Sequence, residues 1–308
     1  MNRNEFFEAV KTGVLENLKK TDNTLEATIS KVTKLNNIVY TGLSFKSQTT
    51  RVAPVVYLDE FFARFSDDDL SLDDIIDRVS EIYKTHAADS QDIDVGGITD
   101  YNAIKDKIAP AICNAERCKD YLKDAPHEQF CDLAIYFRVI VDIRDGEGSV
   151  LVSNQLMNSW NVGLDDIKSQ AWKNLKRDNP PSFKTMYDVL KESIPAFADV
   201  ALPEETDDSC SMHVLTNHSK TAGAVYMADT SVLEGIAGEM DSDLIILPSS
   251  RHELIILPIA MAETPDKLAD LKSMVTEINH NGTVSDEDFL GDSVYVYHRE
   301  AGTVEIAA

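Results

Sequence analysis

Residues 244–258 read LIILPSSRHELIILP, so the quintet Leu-Ile-Ile-Leu-Pro occurs twice with five polar residues between the copies. Uninterrupted apolar runs of this length are typical of strands that are buried on both faces. The polar residues between the two runs are suited to a turn. This stretch therefore predicts a β-hairpin at the centre of a sheet.

Three further pairs of short apolar segments predict hairpins elsewhere in the chain. They are residues 133–143 with 149–152, 212–216 with 224–228, and 294–297 with 304–306. Apolar residues at helical spacing follow the hairpins, at 154–176 and 182–192, at 230–240, and at 265–280. In the last of these stretches, one face carries Leu268, Leu271, Val275 and Ile278. Hairpins that alternate with helices indicate an α+β fold, with antiparallel sheets built from successive β-hairpins, each followed by covering helices.

The beginning of the chain predicts a similar mixture of elements. Helical spacing covers residues 4–20, and alternating apolar residues predict a hairpin over 25–45 and a strand over 52–58. Because proline lacks an amide hydrogen, Pro54 places this strand at a sheet edge. Ser71 is a good N-cap for the helix that follows it. We also expect a helix over residues 100–122, kinked by Pro110.

A domain boundary is predicted near residue 125. It would separate an N-terminal α+β region, 1–125, from a C-terminal region of hairpin-helix units, 126–308. One continuous domain is the alternative. The acidic, proline-containing stretch 195–208 is expected to form a long surface loop.

The charge balance is unusually acidic. The chain carries 29 basic and 53 acidic side chains, a net charge of −24, and the last 108 residues contribute 5 basic and 20 acidic ones. Such a field repels phosphate backbones, so no nucleic-acid partner is expected. The acidic C-terminal third suggests docking of a basic protein, whereas the alternative interpretation is that the charge serves solubility.

Several classes of protein lack support in the sequence. Charged residues interrupt the apolar pairs of the first ten positions, and the longest apolar runs are far too short to cross a bilayer, so we expect a cytoplasmic protein and no membrane association. The four cysteines have irregular spacing without a Cys-x-x-Cys pair, which favours reduced thiols in the interior; they are Cys113, Cys118, Cys131 and Cys210.

The common cofactor and metal motifs are also missing. Only 13 glycines are present, and no glycine-rich phosphate loop or Gly-x-Ser-x-Gly elbow occurs. His252-Glu253 resembles the start of a zincin helix, but Ile256 stands where the second histidine is needed. The acidic run at 67–69 has Leu72 and Arg78 where a calcium loop needs Gly and Glu. The sequence predicts neither a cofactor nor a metal.

The polar tip of the central hairpin, residues 248–253, is the first candidate catalytic site. A rigid hairpin can present hydroxyl, imidazole and carboxylate groups to a cleft, here those of Ser249, Ser250, His252 and Glu253. The alternative is that the serines satisfy turn amides and the charged residues are solvated. A second candidate is His127 with Asp132, an acid/base pair if the fold brings it near the tip.

Several segments of the chain together carry a resemblance to a known family. The block 124–127 leading into 132–136, the later Ser153-Asn154 and Trp160, the segment 247–253 and the closing segment 292–300 resemble an uncharacterised bacterial domain-of-unknown-function family. The likeness covers nearly the full length, and the Leu-Pro-Ser-Ser-x-His-Glu segment is its most specific part. The resemblance implies a bacterial, cytoplasmic protein but no activity, cofactor or catalytic residue.

Two hypotheses for the function follow. The first is a non-catalytic interaction protein whose acidic C-terminal third docks a basic partner. The second is an enzyme, in particular a hydrolase, that uses His252 and Glu253 with Ser249 or Ser250, together with His127. The sequence leaves the substrate, the partner and the oligomeric state open.

Overall fold

The computed structural model describes residues 1–46, 54–90, 97–143, 146–194, 212–262 and 264–307. The chain forms two compact units, one of residues 1–100 with 140–150 and the other of residues 101–139 with 151–308. Helices and antiparallel sheets make up both, so the predicted α+β class is confirmed. The predicted surface loop 195–208 lies outside the described residues.

The first unit packs helices against a small antiparallel sheet. Strands β1 (Glu26–Thr33), β2 (Val39–Lys46) and β3 (Val55–Tyr57) lie in the order β1-β2-β3. The strand predicted over residues 52–58 is β3, and it lies at the sheet edge as expected; residues 52 and 53 lie outside the described part of the chain. The helices are α1 (Arg3–Lys19), α2 (Asp59–Ser66) and α3 (Leu72–Ser90).

Local signals fix the ends of these helices. Asn2 and Glu5 form a reciprocal capping box at the start of α1, and the Ser71 hydroxyl accepts a hydrogen bond from the Asp74 amide at the start of α3. The apolar stripe of α1 is buried and meets residues of β2, β3 and α3 in one core. The predictions for residues 4–20, 25–45 and Ser71 are confirmed.

The second unit contains most of the remaining elements. Its helices are α4 (Tyr101–Ile104), α5 (Lys119–Leu122), α6 (Asn154–Trp160), α7 (Leu164–Asp178), α8 (Met186–Ser193), α9 (Thr230–Glu239) and α10 (Pro265–His280). The strands that follow residue 101 are β4 (Ile108–Asn114), β5 (His127–Phe130), β6 (Leu133–Ile143), β7 (Gly146–Leu151), β8 (Pro181–Thr185), β9 (His213–Asn217), β10 (Leu244–Pro248), β11 (Leu254–Pro258), β12 (Tyr295–His298) and β13 (Thr303–Ile306). Part of the β6–β7 hairpin, residues 140–150, belongs to the first unit.

The central hairpin lies where the sequence predicts it. Six strands form an antiparallel sheet in the order β13-β12-β10-β11-β9-β8, and β10 pairs with β11 so that Ile246 lies opposite Ile256. All five residues of β10 are buried, as are four of the five in β11. A second sheet has the order β4-β6-β5, with β7 beside β6. The predicted hairpin of β12 and β13 is confirmed.

The predicted helix over residues 100–122 is wrong. Ile104, Ile108 and Ile112 recur four residues apart, which favours a helix locally, but residues 108–114 form β4 and pair with β6 along its whole length. Pro110 lies opposite Phe137 in this pairing. Long-range strand pairing therefore overrides the local periodicity.

The second predicted hairpin and one predicted helix also need correction. Residues 213–217 form β9, but residues 223–228 curl into a 3-10 helix because the amides of Gly223 and Ala224 donate to the carbonyls of His252 and Arg251. The expected helix over 182–192 begins as strand β8, which pairs with β9. The expected helix over 154–176 is divided into α6 and α7 by Asn161, which adopts the left-handed conformation.

Helix α10 covers one face of the central hairpin. Its residues Leu268, Leu271 and Val275 pack with apolar residues of β10 and β11. Asn279 continues this inner face, whereas Ile278, which the sequence also favours there, is 39% exposed. Over the described part of the chain, each helix is too short or too polar to cross a bilayer.

Candidate functional site

The tip of the central hairpin is anchored by its backbone. The carbonyl of His252 accepts hydrogen bonds from the Gly223 amide at 3.0 Å and from the Thr216 hydroxyl at 2.8 Å. The amide of Arg251 donates to the carbonyl of Asp288 at 2.9 Å. The tip is thereby attached to the 3-10 helix on one side and to the loop before β12 on the other.

The imidazole of His252 forms hydrogen bonds to the same two neighbouring segments as the tip backbone. The Ala222 amide lies 3.1 Å from Nδ1 and can only donate, so Nδ1 is the accepting nitrogen. Nε2 then carries the proton and donates to Oδ1 of Asp288 at 3.0 Å. Both ring nitrogens are occupied while His252 is neutral.

Asp288 is the hub of this cluster. Its Oδ1 accepts from Arg251 Nε at 2.7 Å, and its Oδ2 accepts from the Ser285 hydroxyl at 2.7 Å. Burial acts to raise the pKa of Asp288, but the hydrogen bonds from Arg251 and Ser285, the positive charge of Arg251 and the hydrogen bond from His252 outweigh burial and lower it. The carboxylate is therefore held in its charged form. We call His252, Asp288, Arg251 and Ala222 the tip latch.

The remaining predicted tip residues take no part in a nucleophile-base pair. The Ser250 hydroxyl accepts from the His252 amide at 3.0 Å, and the Ser250 amide donates to the carbonyl of Glu253 at 3.2 Å. Ser249 and Glu253 are half-buried. A serine nucleophile needs an open imidazole nitrogen within hydrogen-bond reach, and the latch leaves neither nitrogen of His252 open.

His127 lies at the start of β5. Its Nδ1 donates to the carbonyl of Ala125 at 2.8 Å, and among the described residues Nε2 has no hydrogen-bond partner. The side chain lines an open cavity of about 750 Å³ in the second unit. The tip residues do not line this cavity, so the structure does not bring the two predicted clusters together there. The lining residues are Ala115, Glu116, Lys119, Asp120, Leu122, Lys123, His127, Gln129, Asp132 and Ala134.

Asp132, the predicted partner of His127, lines the same cavity but is committed to hydrogen bonds. The Ser293 hydroxyl donates to its Oδ2 at 2.7 Å, and the Tyr295 hydroxyl donates to its Oδ1 at 2.5 Å. Burial raises the pKa of Tyr295, and its hydrogen bond to Asp132 raises it further, so Tyr295 remains a neutral donor. The carboxylate thus connects the β5–β6 turn to β12.

Sequence reasoning missed Asp288 and Ala222. Asp288 stands three residues after Ser285, and the Ser285 hydroxyl accepts from the Asp288 amide at 3.1 Å, a pairing that resembles a helix cap. That spacing was the available signal. Nothing in the sequence marks the backbone amide of Ala222.

The surface of the last third of the chain is strongly acidic. Among the described residues from 212 to 307, nine acidic side chains are exposed and four basic ones. On α10, Asp266, Asp270 and Glu277 are exposed, and Met274 and Ile278 beside them are 38% and 39% exposed. Among the described residues, no three His, Cys, Asp or Glu side chains are grouped so that they could hold a metal ion.

Comparison with known proteins gives one match. A family model, described as a family of unknown function (DUF5688), matches residues 3–299 of the 308 in the chain. No curated protein matches the sequence, and no solved structure matches the fold.

Proposed function

We propose that this chain, which belongs to the DUF5688 family of unknown function, is a cytoplasmic, non-catalytic interaction protein whose acidic C-terminal third binds a basic protein. The observation that carries the proposal is the excess of exposed acids in this part of the chain, nine against four exposed bases. Complementary charge of this kind steers encounter and selects partners. The free thiols of Cys113 and Cys131 fit a reducing compartment.

The geometry of the tip also favours a structural over a catalytic role. Its imidazole, guanidinium and one serine hydroxyl are all used in internal hydrogen bonds. A catalytic base must reach the proton that it abstracts, and the tip latch occupies both nitrogens of the only histidine there. The hydrogen bonds of His252 and Ser250 support a structural role for the tip.

Affinity capture with matched charge variants tests the proposal. The full-length chain is compared with a variant in which Glu234→Gln, Asp270→Asn and Glu277→Gln remove three exposed acids of the last third, and with a control in which Glu16→Gln, Glu60→Gln and Glu81→Gln remove three exposed acids of the first unit. We expect basic proteins to be retained at about 50 mM salt and lost at about 300 mM. They should also be lost in the first variant but not in the control.

Two results would contradict the proposal. One is a partner whose retention does not depend on salt, because an electrostatic interface between exposed groups is screened. The other is equal loss of binding in both variants, because that would indicate attraction to net charge in general and no docking surface in the last third.

A second candidate function is an enzyme that uses His127. The observation that favours it is the arrangement of this ring, with Nδ1 fixed by the Ala125 carbonyl and the side chain lining a cavity. Fixing one nitrogen orients the other for proton transfer. Turnover of chromogenic esters or phosphate esters that is lost in His127→Gln but kept in His252→Ala would support it. Absence of turnover with every such substrate would remove it.

A further inference from the structure

The outer side of α10 carries a row of acids. Asp266, Asp270 and Glu277 are exposed, and together with Ser273 they recur at intervals of four, three and four residues. Side chains at these intervals lie along one stripe of a helix. The stripe faces away from Leu268, Leu271 and Val275, which pack on the central hairpin.

An apolar pair lies directly beside this row. Met274 is 38% exposed and Ile278 is 39% exposed, and they are separated by one helical turn. In the described part of the second unit, the other large apolar side chains of comparable exposure are Ile194, Met212 and Ile306. The first follows α8, the second precedes β9 and the third lies in β13. Neighbouring exposed apolar side chains are typical of a contact surface, whereas single ones are not.

The two basic residues of α10 do not cancel the acidic row. Lys272 precedes Met274 by two positions and therefore points to a different side of the helix. Lys267 precedes Met274 by seven positions and lies on the line of the apolar pair, two turns away. Around Met274 and Ile278 the flanking charges are consequently those of Asp270 and Glu277.

We infer that this surface of α10, made of Asp270, Met274, Glu277 and Ile278, binds a basic amphipathic helix of a protein partner. The inference rests on the proposed function and specifies its docking surface and the chemistry of its partner. Two apolar side chains of the partner cover Met274 and Ile278, and lysine or arginine side chains next to them pair with Asp270 and Glu277. Charge complementarity selects this occupant, because an acidic or neutral helix would leave both carboxylates unpaired on the rim of the contact.

The test uses the full chain and a labelled probe peptide. The probe is a helical peptide of about 18 residues, long enough to form an isolated helix, with two leucines one turn apart flanked by arginines. A scrambled peptide of the same composition is the control probe. Binding is followed by fluorescence anisotropy at about 50 mM and about 300 mM salt.

Two variants separate the contributions of the surface. Asp270→Lys with Glu277→Lys should weaken binding at about 50 mM salt by at least about tenfold, because attraction is replaced by repulsion. Met274→Ser with Ile278→Ser should weaken binding by a similar factor, and this loss should persist at about 300 mM salt because the apolar contact is not screened. All four residues are exposed, so the variants should fold, and thermal melting is the check.

A matched charge reversal on α9 shows whether the inference alone fails or the proposed function fails with it. Glu234→Lys with Glu239→Lys reverses two exposed acids on α9, in the same acidic third. The inference holds if α10 reversal abolishes binding, α9 reversal does not, and the scrambled peptide binds at least about tenfold more weakly. It is overturned, with the proposed function intact, if both reversals weaken binding equally and both peptides bind alike. Binding that responds to neither reversal nor salt overturns both. No binding of the probe peptide overturns the inference, whereas the capture experiment decides the proposed function.

Discussion

Nε2 of His252 lies 3.0 Å from Oδ1 of Asp288, although the two residues are 36 positions apart in the sequence. The same oxygen accepts from Arg251 at 2.7 Å, and the opposite ring nitrogen accepts from the Ala222 amide. One carboxylate and one imidazole thus hold together the hairpin tip, the 3-10 helix and the loop before β12.

Replacing His252 should reduce the stability of the fold. In His252→Ala the Ala222 amide loses its acceptor and Asp288 loses one donor, and a partly buried group left without its partner costs about 1–3 kcal/mol. Urea unfolding measures this change in the free energy of unfolding. Ser249→Ala, at the same tip, is the control and should stay within about 0.5 kcal/mol of the parent. Equal stability of both variants would show that the latch does not support the fold.

Asp288 should make the free energy of unfolding depend on pH. Its pKa in the folded state lies below the ordinary value of 3.8, so the stabilisation that it supplies is fully present above that value and is lost as the pH falls through the lowered folded pKa. Asp288→Asn lacks this contribution. The difference in unfolding free energy between parent and variant should therefore shrink between about pH 6 and about pH 3. A difference that grows as the pH falls would reverse the assigned direction of the pKa change.

Two glycines should respond to alanine in opposite directions. At Gly223 a Cβ atom would meet the Thr216 hydroxyl at 2.6 Å, the Asn217 amide nitrogen at 2.7 Å and the His252 carbonyl at 2.8 Å, so Gly223→Ala must displace the tip or the strand. We expect a loss of about 1–3 kcal/mol. At Gly235, within α9, nothing lies within 4 Å of the added atom, and Gly235→Ala should stabilise the helix by about 0.5–1 kcal/mol.

Thermal and urea unfolding of these two variants decide the matter. Destabilisation by both would mean that α9 is constrained by something besides its own helix. Tolerance of Gly223→Ala would mean that the 3-10 helix can move away from the tip without cost.

Asn174 should prove essential to the packing of α7 on β4. This residue is buried within α7, and its side-chain amide donates to the carbonyls of Lys105 at 2.7 Å and Ile108 at 2.8 Å. Asn174→Leu removes both hydrogen bonds and leaves a buried carbonyl unpaired, so we expect a loss of about 1–3 kcal/mol. Thr276→Ala, on the exposed side of α10, serves as the control in the same unfolding assay. A neutral result for Asn174→Leu would mean that apolar packing replaces the hydrogen bonds.

Elements whose signal is local could be predicted from the sequence. Helix α10 begins at Pro265 after the Thr264 cap and ends at His280, as its apolar spacing predicts, and the twin quintets form the central hairpin. β4 could not be predicted, because its helical spacing is a local property and its pairing with β6 is not. Ile278 was misplaced for a related reason, since the buried amide of Asn279 takes the inner position and donates to the Gly291 carbonyl at 2.8 Å.

The candidate site could be located from the sequence but not interpreted. The sequence shows the polar tip as the segment between two apolar strands, and its serines, histidine and glutamate are residue types that catalytic sites use. Their chemistry depends on Asp288 and on a backbone amide at Ala222, neither of which is near the tip in sequence. His127 and Asp132 line one cavity, but the hydroxyls that donate to Asp132 belong to Ser293 and Tyr295, which stand 161 and 163 positions later.

The two identical quintets do little to determine the register in which β10 pairs with β11. Nearly all residues on both faces of β10 and β11 are buried, so a shift of one strand by one residue would bury the same kinds of side chain. In a half-exposed strand, the same shift would turn apolar side chains toward water. The pairing of Leu244 with Pro258 and of Pro248 with Leu254 must therefore be specified elsewhere. We expect the hydrogen bonds of the tip latch, together with the two prolines, which cannot donate to the ladder, to specify it. The polar residues 249–253 would then set the register of the two apolar strands that they join.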